Sequence, residues 1–200
     1  MRVVSPKGHV FDRNVPASLP VSMMLKRAVV AANVVDLRQW NGPVKNQGQE
    51  GACTAHAGTE AGEWQYRKYL NKQPIFSPQY VYANELIYQG DFPQDDGSDG
   101  TTLCTVIIQE GFCELSAYPY VAGQILQPTP AQDENAAQFK AVGAYHGLIG
   151  STTALSIISD PVPWVVEMGF DVYESFESDE VAETGIYNPQ TSSENVVGGH

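Results

Sequence analysis

The sequence predicts an α+β fold in which helices occupy the first half of the chain and strands the second. Helix-favouring residues cluster in three early segments that are bounded by glycine, proline or serine. Later segments are rich in β-branched and aromatic residues in partial alternation, which is typical of strands. The chain has 200 residues, of which 42% are hydrophobic and 17% charged, so it is long enough for one compact unit or two small lobes.

The first helix is predicted from Cys53 to about Leu70, in a segment that contains several alanines and glutamates. Gly48 and Gly51 precede it and allow the backbone to turn sharply just before the helix begins. A third helix is predicted from Thr102 to Glu110, and the glycine at position 111 is expected to end it.

The second helix has the clearest boundary signals. Ser77 is a good N-cap, Pro78 fits the first helical position, and Gly90 is suited to the left-handed conformation that ends many helices. Its apolar side chains recur near helical spacing and predict a core-facing stripe of Tyr80, Ala83, Ile87 and Tyr88.

The second half of the chain predicts strands at Ala141 to Ile149, Trp164 to Phe176 and Val196 to Gly199. A short helix is expected at Ser151 to Ser159, and prolines 161 and 163 mark the approach to the second strand. The boundary between the helical and strand-rich parts is expected at Pro128, Pro130 and the polar stretch Gln132 to Asn135.

Three residue types in one order indicate thiol chemistry. Gln47 lies six residues before Cys53, and a Val-Val-Gly-Gly-His segment ends in His200, 147 residues after the cysteine. A nucleophilic thiol needs an imidazole to exchange its proton and a donor to stabilise the oxyanion of the tetrahedral intermediate. The spacing agrees with a known pattern in which the histidine follows the cysteine by about 130–150 residues.

Further segments resemble the papain family of cysteine peptidases, in particular the short-leader members of bacteria, archaea and viruses. Eight segments resemble that family in the family's order: residues 35–38, 43–48, 51–55, 76–80, 111–114, 118–120, 172–176 and 197–200. Each match is weak alone, but eight in register make chance an unsatisfactory explanation.

The resemblance implies a two-lobe fold with the active site in the cleft between the lobes. Residues 34–200 would form the peptidase domain, with a mainly helical left lobe over 34–127 and an antiparallel β-barrel right lobe over 128–200. The C-terminal part of the barrel is expected to be missing. Residues 1–33 are expected to be a short leader or arm.

The resemblance also implies the roles of the site residues. Cys53 would be the nucleophile, His200 the base and acid, and Gln47 an oxyanion donor together with the N–H of Cys53. Because Cys53 opens a helix, its thiol pKa is expected to fall well below about 8.5. Extended peptide would bind at Gly97, Ser98 and Gly199, and Met168 to Phe170 is a candidate wall of the specificity pocket.

Two departures from the family pattern affect this interpretation. Thr54 follows the cysteine where an aromatic residue is common, and the asparagine that orients the histidine, which lies after it in the family, has no counterpart in this sequence. A fragment that ends at His200 is expected to expose an unpaired sheet edge and to self-associate.

Several alternatives remain open from the residues alone. Cys53 and His56 are three apart on one helix and would form a compact pair, or would bind zinc together with a distant cysteine. A cluster of aspartates suggests a calcium site. The chain would otherwise be a non-catalytic peptide-binding member of the fold, or an enzyme that transfers the acyl group to an acceptor other than water. The clustered aspartates are Asp91, Asp95, Asp96 and Asp99.

Charge and cysteine content narrow the function classes. Eleven basic against 23 acidic residues give a net charge of −12, which disfavours nucleic acid and anionic membranes as partners. No apolar run is long enough to span a membrane, and no signal peptide or cofactor motif is evident.

Cys104 and Cys113 are expected to be buried and free. Glu50 stands where secreted family members place a bridging cysteine, which favours a reducing compartment.

Overall fold

The computed structural model describes residues 35–141, 158, 165–187 and 194–200, together with the backbone of residues 3–4 and 10–11. The helices are α1 (Cys53–Leu70), α2 (Pro78–Gln89), α3 (Gly100–Gln109), α4 (Pro130–Ala136) and α5 (Asp179–Thr184). Short 3-10 turns cover Arg38–Trp40, Ala137–Phe139 and Glu174–Glu177. The strands are β1 (Val3–Val4), β2 (Val10–Phe11), β3 (Asp171–Tyr173) and β4 (Val196–Gly199).

The three predicted helices of the first half are confirmed. Helix α2 begins as its sequence indicates, because the Ser77 hydroxyl accepts a hydrogen bond from the Tyr80 N–H at 3.2 Å and Pro78 occupies the first turn. Helix α3 begins two residues earlier than predicted, because the Asp99 carboxylate caps it by accepting from the Thr102 N–H at 2.8 Å.

Helix α2 lies at the centre of the core, and its first nine residues are all buried. The predicted apolar stripe is half wrong: Tyr80 and Ala83 are fully buried, but Ile87 and Tyr88 are exposed near the end of the helix. Other helices and loops surround α2, so burial here follows the distance along the helix rather than one face. Its neighbours in the core include the Phe76 and Phe112 rings, which stack at 4.8 Å.

A buried ion pair fixes α1 against the segment that precedes it. The Glu63 side chain is fully buried, and its carboxylate accepts from Lys45 Nζ at 2.5 Å and from the Phe76 N–H at 2.7 Å. Arg67, one turn further along α1, forms a second ion pair with the Glu63 carboxylate, with 3.2 Å between its Nη2 and Glu63 Oε2. A buried carboxylate needs such partners, and here they tie residues 43–48 to α1.

The second half contains an antiparallel pair of short strands. Strand β4 is confirmed, and it pairs with β3 through Val172 opposite Gly198 and Asp171 opposite Gly199. The long strand predicted from Trp164 to Phe176 is wrong: β3 has three residues and leads directly into a 3-10 turn. Residues 165–169 have no strand partner in the part of the chain that the structure describes, so their alternating pattern produces no ladder.

The residues at the predicted boundary between the two halves include helix α4. Pro130 occupies its first turn, and the Gln132 side chain accepts from the Thr129 N–H at 2.9 Å in the manner of a capping box. Ala136 at its end is fully buried in the core. The division of the chain at residues 33 and 127 remains a prediction.

Three predictions fall largely on residues outside those described: the strand at Ala141 to Ile149 beyond its first residue, the helix at Ser151 to Ser159, and the leader. Within the leader, β1 and β2 pair antiparallel, with Val3 opposite Phe11 and Val4 opposite Val10. Among the described residues, β4 pairs with β3 alone, and the proposed self-association stays a prediction. None of the described helices is both long and apolar enough to cross a bilayer.

Two glycines that follow helices differ in what surrounds them, and this difference gives a stability prediction. Gly90 (φ 82°) has open space where a Cβ would be, whereas a Cβ on Gly111 (φ 96°) would lie 2.2 Å from the Ala136 carbonyl oxygen. We expect Gly90→Ala to lower the free energy of unfolding by about 1–2 kcal/mol for its left-handed backbone alone. Gly111→Ala should cost about 1–3 kcal/mol more, because the clash involves backbone.

Urea denaturation of the two variants beside the wild type measures both losses. Equal losses would show that the contact between Gly111 and α4 is looser than the structure gives.

Candidate active site

The turn before α1, residues 47–52, is shaped by a close approach to Tyr120. Gly48 has φ 64°, and a Cβ there would lie 2.9 Å from the Tyr120 hydroxyl oxygen. That hydroxyl donates to the Gln47 carbonyl oxygen at 3.1 Å. Glycine is therefore required at position 48 both for its backbone conformation and for its lack of a side chain.

The Gln47 side chain is oriented by a bond within the same turn. Its Nε2 donates to the Glu50 carbonyl oxygen at 2.6 Å. A primary amide nitrogen carries two hydrogens, so this bond fixes the plane of the amide and uses one of its two donors. The second hydrogen has no partner among the described residues.

Cys53 is the first residue of α1 and its side chain is buried, with 6% of its surface exposed. The predicted low thiol pKa is wrong for this arrangement: burial raises the pKa of Cys53 to about 11. A backbone hydrogen bond from Thr54 acts in the opposite direction, while the carboxyls of Glu85 and Glu167 raise the pKa further. Desolvation of the thiolate thus outweighs the favourable helix terminus.

Beneath the thiol lies a buried acid. Glu85 is fully buried, and its carboxyl oxygen Oε2 accepts from the Thr54 hydroxyl at 3.0 Å. Burial raises the pKa of Glu85 well above its ordinary value. Thr54, which occupies the place of the family's aromatic residue, therefore serves as the donor to this acid.

His200 follows β4 and is exposed, but its backbone is held. Its N–H and carbonyl oxygen pair with Phe170 at 3.0 and 2.9 Å, and the two rings meet edge to face with centroids 5.8 Å apart. Burial, then the charge of Lys45 and then that of His200 lower the pKa of His56 to about 4.

Among the described residues, no hydrogen bond joins the Cys53 thiol to His200 or to His56. The Nε2 atom of His56 is buried without a hydrogen-bond partner in the described part of the chain. The compact pair of Cys53 and His56 therefore gains no support from the structure.

Gly97 and Ser98 lie together in the loop before α3, and both are buried. The Gly97 N–H donates to the Tyr82 hydroxyl at 3.0 Å, and its carbonyl oxygen accepts from Gln89 Nε2 at 3.1 Å. The Ser98 hydroxyl donates to Gln89 Oε1 at 2.8 Å. Both main-chain groups of Gly97 are therefore bonded within the protein, and its contact with a peptide stays a prediction.

The aspartates proposed as a calcium site do not converge on one point. Asp95 accepts from the Gly51 N–H and from Tyr82, whereas Asp99 caps α3. In the described part of the chain, no group of three His, Cys, Asp or Glu side chains is arranged to hold a metal ion. Cys53, Cys104 and Cys113 are all free; Cys113 is buried, as predicted, and Cys104 is half-buried.

The described cavities lie away from the thiol. An open depression of about 390 Å³ borders the segment before α1, and its walls do not include Cys53. It is lined by Val35, Asp36, Leu37, Arg38, Asn41, Trp64 and Val165.

The sequence did not indicate two buried polar contacts that support the turn. The Glu50 carboxyl accepts from Gln79 Nε2 at 2.7 Å, and Gln79 also bonds to both main-chain groups of Val121 at 3.0 Å. Tyr82 and Asp95 form the second contact. The one available signal was an acidic residue, Glu50, at a position where the family pattern places a cysteine.

Comparisons with known proteins indicate the family to which the chain belongs. The model of the papain family cysteine proteases matches residues 31–198. An uncharacterised peptidase C1-like protein of Acanthamoeba polyphaga mimivirus is 28% identical over 167 residues, which are 78% of this chain and 52% of that protein. The chain thus spans about half the length of this relative.

Xylellain, a cysteine protease from Xylella fastidiosa, shares the fold. Its crystal structure matches 100% of this chain and 79% of its own with a TM-score of 0.71, at 22% sequence identity. The predicted papain-like α+β fold is confirmed by this likeness. Because the family model matches most of its length, the chain belongs to the papain family of cysteine proteases.

Proposed function

We propose that this protein hydrolyses peptide bonds through a Cys53 acyl-enzyme. The observation that supports the proposal most is that one anchored turn carries both a nucleophile at the start of α1 and an amide donor, Gln47, held by its own turn. The family match adds support. Peptides or proteins are the proposed substrates.

In the proposed reaction, His200 removes the thiol proton as the Cys53 sulfur attacks the scissile carbonyl carbon. The tetrahedral intermediate collapses when the imidazolium returns that proton to the leaving amine. Water then attacks the thioester, and the imidazole again takes and returns a proton. Since burial raises the pKa of the Cys53 thiol to about 11, the proposed reaction depends on an ion pair with His200 to populate thiolate at neutral pH.

The oxyanion of each tetrahedral intermediate is proposed to bind the Cys53 N–H and the second hydrogen of Gln47 Nε2. The bond from Gln47 to the Glu50 carbonyl oxygen pre-orients this donor, so little reorganisation accompanies the reaction. A fixed donor stabilises the transition state more than a mobile one, because its ordering entropy is already lost.

The proposed peptide lies extended along the Ser98 main chain, with Gly97 behind it and Gly199 on the opposite side. Gly199 is buried in β4, where the absence of a side chain allows close approach. Met168 to Phe170 remains the proposed wall of the specificity pocket: Met168 is 70% exposed, and the Phe170 ring contacts His200.

The nucleophile assignment predicts which cysteine reacts. A peptidyl epoxide should label Cys53, and Cys53→Ala should abolish both labelling and turnover of a fluorogenic peptide, because no other group supplies the acyl acceptor. Cys104→Ala is the matched control and should keep both, since Cys104 lies in α3 outside the proposed site. Mass spectrometry of the labelled peptide locates the adduct; an adduct on Cys104 would contradict the assignment.

The oxyanion assignment predicts an effect on the rate constant. Gln47→Ala should lower kcat by about 10²–10³-fold with a much smaller change in KM, because the donor acts chiefly on the transition state. Gln49→Ala, an exposed glutamine in the same turn, should leave kcat unchanged. Steady-state kinetics on one peptide compares the two variants, and similar kcat values would remove Gln47 from the site.

The pairing of Cys53 with His200 predicts two different pH profiles for alkylation. In His200→Ala the thiol titrates alone, so its iodoacetamide rate should rise about tenfold per pH unit from neutral pH towards the raised pKa of about 11. In the wild type the imidazolium favours thiolate, so the rate should already be high at pH 6–8 and level off. Coincident profiles would show that His200 does not act on the thiol.

A further inference from the structure

Two parts of the proposed site meet at one buried phenol. The hydroxyl of Tyr82, a fully buried residue of α2, donates to Asp95 Oδ1 at 2.5 Å and accepts from the Gly97 N–H at 3.0 Å. The same oxygen of Asp95 accepts from the Gly51 N–H at 2.9 Å. A continuous chain of three hydrogen bonds therefore links the turn before Cys53 to the loop that carries Ser98.

We propose that Tyr82 is a positioning residue that, through Asp95, holds the nucleophile turn and the substrate-binding loop in one fixed relation. The proposal rests on the proposed function, because it assigns to Tyr82 an effect on how a bound peptide meets the thiol. Tyr82 itself touches no reacting atom.

The physical basis is the number of segments that depend on one group. Gly51 lies two residues before Cys53, and Gly97 precedes Ser98 directly, so a shift at either end displaces a proposed contact to substrate. The Tyr82 ring is fully buried within the helical core and has little freedom to move. A rigid Tyr82 fixes the loop that carries Asp95 and Ser98 against α2, and Asp95 in turn holds Gly51. Displacement of reacting groups by about 1 Å can lower a rate by about 100-fold.

This arrangement depends on the acceptor oxygen of Asp95 and does not depend on its charge. The Asp95 side chain is exposed on its other side, where water solvates the carboxylate. An asparagine can keep a carbonyl oxygen in the same place, whereas an alanine leaves the Gly51 N–H without its acceptor.

Helix α2 supplies a matched control for the phenol. Tyr80 is also fully buried, and its hydroxyl donates to the Asp133 carboxylate in α4 at 2.9 Å. Tyr80→Phe and Tyr82→Phe each remove one buried hydroxyl that is bonded to an aspartate, so their effects on unfolding should be similar. Of the two, Tyr82 is the one bonded to the loop that carries Ser98 and, through Asp95, to the turn before Cys53.

The test compares peptide turnover with the reactivity of the thiol towards a small reagent. Tyr82→Phe should lower kcat/KM by about 10- to 100-fold relative to Tyr80→Phe, while the iodoacetamide rate at Cys53 changes by less than about threefold, because the small reagent needs neither loop. Asp95→Ala should reproduce this split, and Asp95→Asn should restore most of the turnover. Thermal unfolding of each variant verifies that the comparison is made on folded protein.

The outcomes separate the two proposals. A wild-type chain that neither turns over peptide nor reacts with a peptidyl epoxide overturns the proposed function, and this inference falls with it. An active wild type whose Tyr82→Phe variant keeps kcat/KM within about twofold of Tyr80→Phe overturns the positioning role alone. If Tyr82→Phe does not fold, the pair of Asp95 variants decides: equal activity of Asp95→Ala and Asp95→Asn overturns the role.

Discussion

Three side chains from other parts of the fold bind the turn, residues 47–52, that places Cys53 at the start of α1. Each bonds to a different residue of the turn, so the turn cannot shift without breaking a buried hydrogen bond. The pairs are Tyr120 with Gln47, Gln79 with Glu50, and Asp95 with Gly51. A helix terminus alone favours an anion electrostatically, whereas these three contacts fix the position of Cys53. Catalysis depends on that position to a fraction of an ångström.

The acids near the turn divide into two kinds according to their environment. Glu63 is ion-paired with Lys45 and Arg67, and its charge is used to bind the segment before α1. Glu50 and Glu85 are buried without a cationic partner in the described part of the chain, and burial raises the pKa of each. Burial favours the protonated form of Glu85, and a charged carboxylate at that place would oppose formation of the Cys53 thiolate.

Local signals predicted the boundaries of the helices well, since capping is decided within a few residues. Ser77, Pro78 and Gly90 act as their types suggest. The same reasoning missed helix α4, although Pro130 and the capping box at Thr129 start it. It also failed at β3, because alternation does not reveal whether a partner strand is present.

The identity of the site residues was easier to predict than the pKa of the thiol or the hydrogen bonds that surround it. Gln47, Cys53 and His200 follow from spacing and family resemblance, and their catalytic roles remain proposals. The thiol pKa was predicted in the wrong direction, because the helix terminus is visible in sequence and the burial that outweighs it is not. Tyr82 carries no sequence signal at all: its role arises from hydrogen bonds to residues 13 and 15 positions away.

The most direct test of this account is a crystal structure of the Cys53→Ala variant with a bound extended peptide. The account predicts a carbonyl oxygen of the peptide between Gln47 Nε2 and the N–H of residue 53, the peptide main chain along Ser98, and the His200 imidazole facing position 53. A peptide bound elsewhere, or an imidazole turned away from the start of α1, would contradict it.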